Sequence, residues 1–211
     1  MLDILRAAYP DAGCALVHEN GFELLVKVVL SAQTTDKSVN AVSPELFGRY
    51  KDAAALAAAD EEDLRRILRR IGMYRTKAKN IKALSAALLS AHGGVVPDDY
   101  DALIALPGVG RKTANVVLAV AFGRQRIAVD THVFRVANRI GLCDERDVLQ
   151  TELALMRRLP ADRRTEAHHS LIFHGRRCCR ARRPSCEICP VRGFCVHAAR
   201  AGGHPQEEAK A

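Results

Sequence analysis

Apolar positions along the chain recur at three and four residues, and β-branched runs of period two are missing. Helices bury a face that way and strands do not, so an all-α fold with almost no strand is expected. A short first helix covers residues 2–8. The second, over 22–32, is apolar almost all round (Phe22, Leu24, Leu25, Val26, Val28, Val29, Leu30), as a buried central helix is. Thr35 or Asp36 caps the next, and Ser43-Pro44-Glu45 reads as a fresh start, with a serine N-cap and proline at the first helical position. Asp60-Glu61-Glu62-Asp63 opens a helix acid end first, and Arg65, Arg66, Arg69 and Arg70 fill its later turns, matching the helix dipole. A longer helix over 76–92 closes on Gly93-Gly94. Pro97-Asp98 starts a helix that runs into a glycine turn. Asp130-Thr131-His132 opens another to about 140, and two more follow near 147–158 and 163–174. The tail from about 199 reads as frayed, and no internal repeat is present.

The glycine turn is the most informative stretch: Leu106-Pro107-Gly108-Val109-Gly110-Arg111-Lys112-Thr113-Ala114-Asn115-Val116-Val117-Leu118. Pro107, Gly108 and Gly110 mark a tight turn, and Ala114, Val117, Leu118 and Ala121 then fall on one helical face. A helix that starts on glycine points free N–H groups and its positive dipole end forward, an arrangement suited to phosphate. The glycine spacing fits neither a Walker loop nor a dinucleotide fingerprint. It resembles the helix-hairpin-helix element that grips a DNA backbone phosphate; a plain helix–helix turn without a ligand is the alternative. Lys112 stands in the first turn, where the dipole disfavours a cation. It is there either as a nucleophilic amine or as a point charge on phosphate.

Composition narrows the partners and the compartment. The 211 residues, 48% hydrophobic, suffice for one large or two small domains. A formal charge of +8 suits a polyanion, most simply nucleic acid. No run of about 18 apolar residues spans a membrane, and the start Met1-Leu2-Asp3-Ile4-Leu5 does not read as a secretory signal. A cytoplasmic protein, nucleoid-associated if bacterial, is expected. Its seven cysteines then serve metal or reactive thiols rather than disulfides. Cys179, Cys186, Cys189 and Cys195, separated by six, two and five residues, are dense enough to hold one metal centre. Four thiolates fit Zn²⁺ or an iron–sulfur cluster. Cys178 competes for the first position, while Cys14 and Cys143 read as buried small hydrophobes. Arg176, Arg177, Arg180, Arg182, Arg183 and Arg192 crowd the same stretch against the single acid Glu187. A metal-pinned loop holds such arginines still for phosphate contact.

A hairpin lysine, an aspartate at 130 and the 6-2-5 cysteine spacing together resemble the endonuclease III family, the iron–sulfur helix-hairpin-helix DNA glycosylases. Supporting stretches are Phe22-Glu23-Leu24-Leu25, Leu30 through Asp36, Ile71-Gly72-Met73-Tyr74, Ile127 through Val136, and His174-Gly175-Arg176. The resemblance implies an all-α fold: a six-helix barrel domain over 20–125 with the helix-hairpin-helix motif, and a discontinuous helical cluster domain over 1–19 and 126–211. DNA would lie in a cleft between them. It implies a 4Fe-4S cluster on Cys179, Cys186, Cys189 and Cys195, the register from His174-Gly175 selecting Cys179 over Cys178. It implies a monomeric bifunctional DNA glycosylase and abasic-site lyase acting on double-stranded DNA that carries damaged pyrimidines or abasic sites. Lys112 would be the Schiff-base nucleophile and Asp130 the carboxylate near C1′, its bland role being an N-cap. Gln33 would enter the gap left by a flipped base, with the Ile71-Gly72-Met73 turn wedging near the opposite strand. Gly108, Gly110, Arg111, Arg180, Arg182 and Arg183 would contact the DNA backbone. Two rivals stand beside this: a monofunctional mismatch glycosylase of the same superfamily, which lacks the hairpin lysine, and a non-catalytic DNA-binding or redox-sensing module.

Overall fold

Twelve α-helices and no strand make up the described residues, 1–202, of the computed structural model: α1 (Leu2–Ala8), α2 (Gly21–Leu30), α3 (Asp36–Arg49), α4 (Ala53–Ala58), α5 (Glu61–Ile67), α6 (Tyr74–His92), α7 (Tyr100–Ile104), α8 (Arg111–Phe122), α9 (Thr131–Ile140), α10 (Val148–Arg158), α11 (Arg164–Arg177) and α12 (Val196–Gly202). The tail expected to fray from about 199 is helical to Gly202, and residues 203–211 lie outside the described residues. No helix is long and apolar enough to cross a membrane.

Short polar side chains set the starts. Asn20, Thr35, Asp52, Asp60, Asp99, Asp130 and Asp147 each accept a backbone N–H from the first turn of the helix they precede. Each such cap satisfies a donor that the helix cannot, and its loss costs about 1 kcal/mol.

The helices fall into two units. Cys14–Arg124 holds α2 to α8 around a core that includes Leu24, Leu25, Leu30, Leu46, Leu64, Leu84 and Leu118. Met1–Gly13 and the chain from Gln125 form the other, with Leu5, Val133, Val136, Ile140, Leu155 and Leu171 in its core. In this second unit Tyr9 reaches His174, Asp3 pairs with Arg163, and Asp11 pairs with Arg177.

Two local expectations are corrected. Ser43 is not an N-cap, because α3 runs unbroken through Pro44. Val39, Val42, Ser43, Leu46 and Phe47 form one continuous buried face, and burial along it outweighs the hydrogen bond that proline cannot make. Pro44 itself faces solvent, and Ser43 Oγ donates back to the Val39 carbonyl at 2.7 Å. In α2 the buried ring of apolar residues also encloses Glu23 and Lys27, paired at 3.3 Å. Lys27 Nζ donates to the Val17 carbonyl as well and sits 5.1 Å from the Phe47 ring centroid.

Restoring an N–H inside α3 tests the balance around proline. Pro44→Ala should stabilise the protein by about 1–2 kcal/mol, the helical preference for alanine less the entropy proline removes from the unfolded chain. Calorimetry should show a Tm higher by a few degrees; an unchanged Tm means α3 accommodates proline without strain.

Candidate functional site

The hairpin is built as its glycines require. Leu106 and Val109 are buried and close the turn, with the Val109 N–H donating to the Leu106 carbonyl at 3.1 Å. Gly108 takes φ +77°, and an added Cβ would lie 3.4 Å from both Val29 and Asn80. A side chain there would meet both the left-handed penalty and tight packing. Gly110 is the N-cap of α8 and offers no side-chain acceptor, so the cap itself satisfies none of the first N–H groups of α8. Pro107, Gly108, Gly110, Arg111 and Lys112 are all exposed. The Arg111 guanidinium lies 5.5 Å from the Tyr100 ring centroid. Among the described residues no hydrogen bond or ion pair ties Lys112 Nζ.

Asp130 lies in the other unit. Its approach is rigid, since Ile127, Ala128 and Val129 are buried. Its Oδ1 accepts from the N–H groups of His132 at 2.9 Å and Val133 at 2.8 Å. Asp130 therefore does cap α9, and Oδ2 makes no hydrogen bond among the described residues. Burial lowers the pKa of His132 below the usual imidazole value; the Asp130 charge opposes this, and Arg135 and Arg176 reinforce it. Gly175 of α11 packs directly on this turn, where an added Cβ would lie 2.9 Å from His132 Cβ and 3.1 Å from Arg135 Nη2. The glycine between His174 and Arg176 is thus a space requirement.

The cysteine loop follows α11. Cys179, Cys186, Cys189 and Cys195 line one small cavity together with Cys178 and His174. Sulfur is the main donor there, which suits an iron–sulfur cluster in chemistry. Cys178 also lies close: one ligand atom each from His174, Cys178 and Cys189 fall within 4.8 Å of one another. The Cys178 S–H donates to the Ser185 carbonyl at 3.5 Å, and burial, followed by the neighbouring Cys189, pushes its pKa up to about 12. His174 is fully buried and held neutral, its pKa lowered by burial to about 4. The Tyr9 hydroxyl meets its Nδ1 at 2.9 Å, and Nε2 faces Cys189 Sγ at 3.8 Å.

Two arginines that the sequence analysis missed hold this loop. Arg135 donates to the carbonyls of Gly175 and Cys179, each at 3.0 Å through Nη2. Arg139 donates to the carbonyls of Arg180 at 2.8 Å and Ala181 at 3.0 Å, and its Nη1 lies 3.7 Å from Cys179 Sγ. Both stand on one side of α9, four residues apart. That spacing, ahead of a cysteine-rich loop, was the available signal. Arg180, Arg182 and Arg183 remain exposed.

Backbone conformation singles out three more positions. Among the described residues, the non-glycine residues with left-handed φ are Gln33 (+52°), Met73 (+58°) and Arg183 (+52°). Each such conformation costs on the order of 1 kcal/mol or more and tends to mark functional turns. All three belong to the expected DNA contacts. Gln33 is exposed and Met73 is 57% exposed. Ile71, expected beside Met73 in the wedge, is 3% exposed and packs into the core of its unit. The turn buries its first residue to anchor itself and presents the third.

Comparison with known proteins agrees with this geometry. Residues 26–161 match the family described as HhH-GPD superfamily base excision DNA repair protein. Residues 179–195 match the iron–sulfur binding domain of endonuclease III, beginning and ending on the outer cysteines. Endonuclease III of Bacillus subtilis is 50% identical over 92% of this chain and 89% of its own length. That of Escherichia coli K12 is 45% identical over 93% of each. A solved structure of a trapped endonuclease III–DNA covalent intermediate superposes with a TM-score of 0.90 at 48% identity, covering 95% of this chain and 94% of that one. A thermostable thymine-DNA glycosylase shares the fold, with a TM-score of 0.83 at 21% identity. The chain belongs to the endonuclease III family of helix-hairpin-helix base excision DNA repair proteins. With that family comes the iron–sulfur cluster its cysteine loop is built to hold.

The Gly175 contact yields a direct test. Gly175→Ala forces a methyl against His132 Cβ, a contact that a rotamer change cannot relieve. It should destabilise the protein by about 1–3 kcal/mol, read as a lower Tm and weaker protease resistance around α9. A parent-like Tm would show that α9 and α11 can separate freely here.

Proposed function

We propose that this chain removes oxidised or ring-saturated pyrimidines from double-stranded DNA and then cuts the abasic strand by β-elimination, with Lys112 as nucleophile and Asp130 as supporting carboxylate. The observation that carries the reading is the state of Lys112: exposed in the first turn of α8, behind a glycine cap that supplies no side-chain acceptor. The N–H groups and Arg111 hold a backbone phosphate. The damaged nucleotide turns out of the duplex, since its C1′ cannot be reached inside the stack. As the N-glycosidic bond breaks, positive charge develops on the sugar and the Asp130 carboxylate stabilises it. The Lys112 amine forms a bond to C1′, the base leaves with the electron pair of the broken bond, and loss of a proton and ring opening give a Schiff base. That imine acidifies the C2′ proton. Its removal expels the 3′ phosphate and breaks the strand. Gln33 fills the gap and Met73 wedges near the opposite strand, the role earlier shared with Ile71.

Cys179, Cys186, Cys189 and Cys195 hold the 4Fe-4S cluster. Cys178 stays outside the set as a protonated thiol bound to the Ser185 carbonyl. With four thiolates coordinating, a bound cluster supplies structure and charge placement rather than an open hydrolytic site. Arg180, Arg182 and Arg183 project from that loop to the phosphates. The enzyme acts as a monomer in the cytoplasm, at the nucleoid of a bacterial cell.

Three substitutions test these roles. Lys112→Gln should abolish the borohydride-trapped complex with abasic or thymine glycol DNA; survival of the trap removes Lys112 as nucleophile. Asp130→Asn keeps the α9 cap, because asparagine caps as well as aspartate, and deletes the charge. Its excision rate should fall at least a hundredfold, with Tm unchanged and lesion binding within about tenfold, or 1.4 kcal/mol. Arg182→Ala should weaken damaged and undamaged DNA alike and reduce the salt slope of binding by about one. An unchanged slope would place Arg182 off the DNA.

A further inference from the structure

Helix α6 puts a lysine where its core pattern calls for an apolar side chain. Lys77, Ala78, Ile81, Leu84, Ser85 and Leu88 form its buried face. Lys77 is 4% exposed, and no acid pairs with it among the described residues. Burial lowers its pKa below that of an ordinary lysine. A buried ammonium without a counter-ion is destabilising compared with an apolar chain of the same length. What the lysine gains is one side-chain partner: Nζ donates to Thr34 Oγ1.

That partner joins two strained turns. Thr34 follows Gln33, and the Lys77 backbone N–H donates to the Met73 carbonyl at 3.0 Å. One residue is thus bonded through its backbone to Met73 and through its side chain to the neighbour of Gln33. The turns also lie close together: a Cβ built on Gly72 would lie 3.8 Å from the Gln33 carbonyl oxygen and 3.9 Å from Thr34 Oγ1. Left-handed backbone at Gln33 and Met73 relaxes unless its surroundings hold it.

We infer that Lys77 is a positioning residue for base opening: its hydrogen bond to Thr34 locks the Gln33 turn against the Met73 turn, so that gap filler and wedge enter the duplex as one rigid pair. This rests on the reading of Gln33 and Met73 given above. A fixed pair avoids ordering two loops separately at the moment of opening. Lys77 touches neither base nor sugar in this scheme. It acts through the two turns, and its charge is retained at the expense of stability.

The test uses the cluster-loaded, full-length protein and a duplex carrying thymine glycol, with 2-aminopurine beside it to report opening. Lys77→Met and Thr34→Val should each slow opening and single-turnover excision at least tenfold, or about 1.4 kcal/mol, just under the range of one hydrogen bond to a charged group. The double variant should be no slower than the worse single, because both remove the same bond. Thr34→Ser, which keeps the hydroxyl, should stay within twofold of the parent. Tm of Lys77→Met should be unchanged or higher, a result a purely structural lysine would not give. Thr34→Val tests the same bond if Lys77→Met does not fold. The inference is overturned if both single variants excise within twofold of the parent, if the Tm of Lys77→Met falls in step with its rate, or if the double variant is additive. Gln33→Ala and Met73→Ala separate the two levels. If they open DNA at the parent rate, the reading of the turns falls and the Lys77 inference with it. If they slow opening while Lys77→Met and Thr34→Val do not, the Lys77 inference alone falls.

Discussion

The cysteine loop depends on guanidinium hydrogen bonds from one helix. Between α11 and α12 the chain has only short 3-10 turns, so many of its carbonyls have no regular ladder to join. Arg135 and Arg139 supply donors in place of that ladder, reaching carbonyls of residues 175, 179, 180 and 181. The same helix begins on Asp130. The carboxylate proposed to face the sugar and the anchor for the cysteine loop are therefore two parts of one helix. Arginines in this unit divide accordingly: those on α9 point inward and organise backbone, and those on the loop point outward and remain available to phosphate.

The other unit uses buried cations differently. Lys27 is matched by Glu23 inside α2, so its charge is balanced where it sits. Lys77 has a hydroxyl partner and no acid. The first arrangement closes a core, and the second leaves tension beside the turns that present Gln33 and Met73. Hairpin and turns thus shape the backbone by opposite means. Around Gly108 and Gly110 the chain uses residues without side chains, so close approach and an open helix end come cheaply. At Gln33 and Met73 it keeps the side chain and accepts the backbone strain.

Much of this was legible in the sequence. Helix starts were readable wherever Asn, Thr or Asp preceded an apolar period, because capping is local chemistry. The hairpin and the cysteine spacing were readable because few alternatives use such residues at such intervals. Asp130 could be read as a cap from its place before an apolar period, and the structure shows that one of its oxygens does the capping. Tertiary effects were not legible. Proline at 44 signals a break locally, and only the buried face shared across it keeps α3 whole. Ile71 and Met73 are equally apolar; a single backbone turn decides which one is buried. Lys27 and Lys77 read as surface charges until neighbours from distant segments enclose them. The inward use of Arg135 and Arg139 depends on loop carbonyls some 40 residues away in sequence.

The unit that carries the cysteine loop is assembled from widely separated stretches, with consequences for synthesis. Leu5 is fully buried there, Tyr9 bonds to His174, and Asp11 pairs with Arg177. On a translating ribosome the intervening segment, residues 14–124, emerges in full and can close around its own core. The first helix must meanwhile wait, its apolar face uncovered, until α11 arrives. Pairing over such sequence separation is slow. The cysteine loop therefore closes last, after the other unit has had its whole length available to fold, and until then the apolar face of α1 stays uncovered.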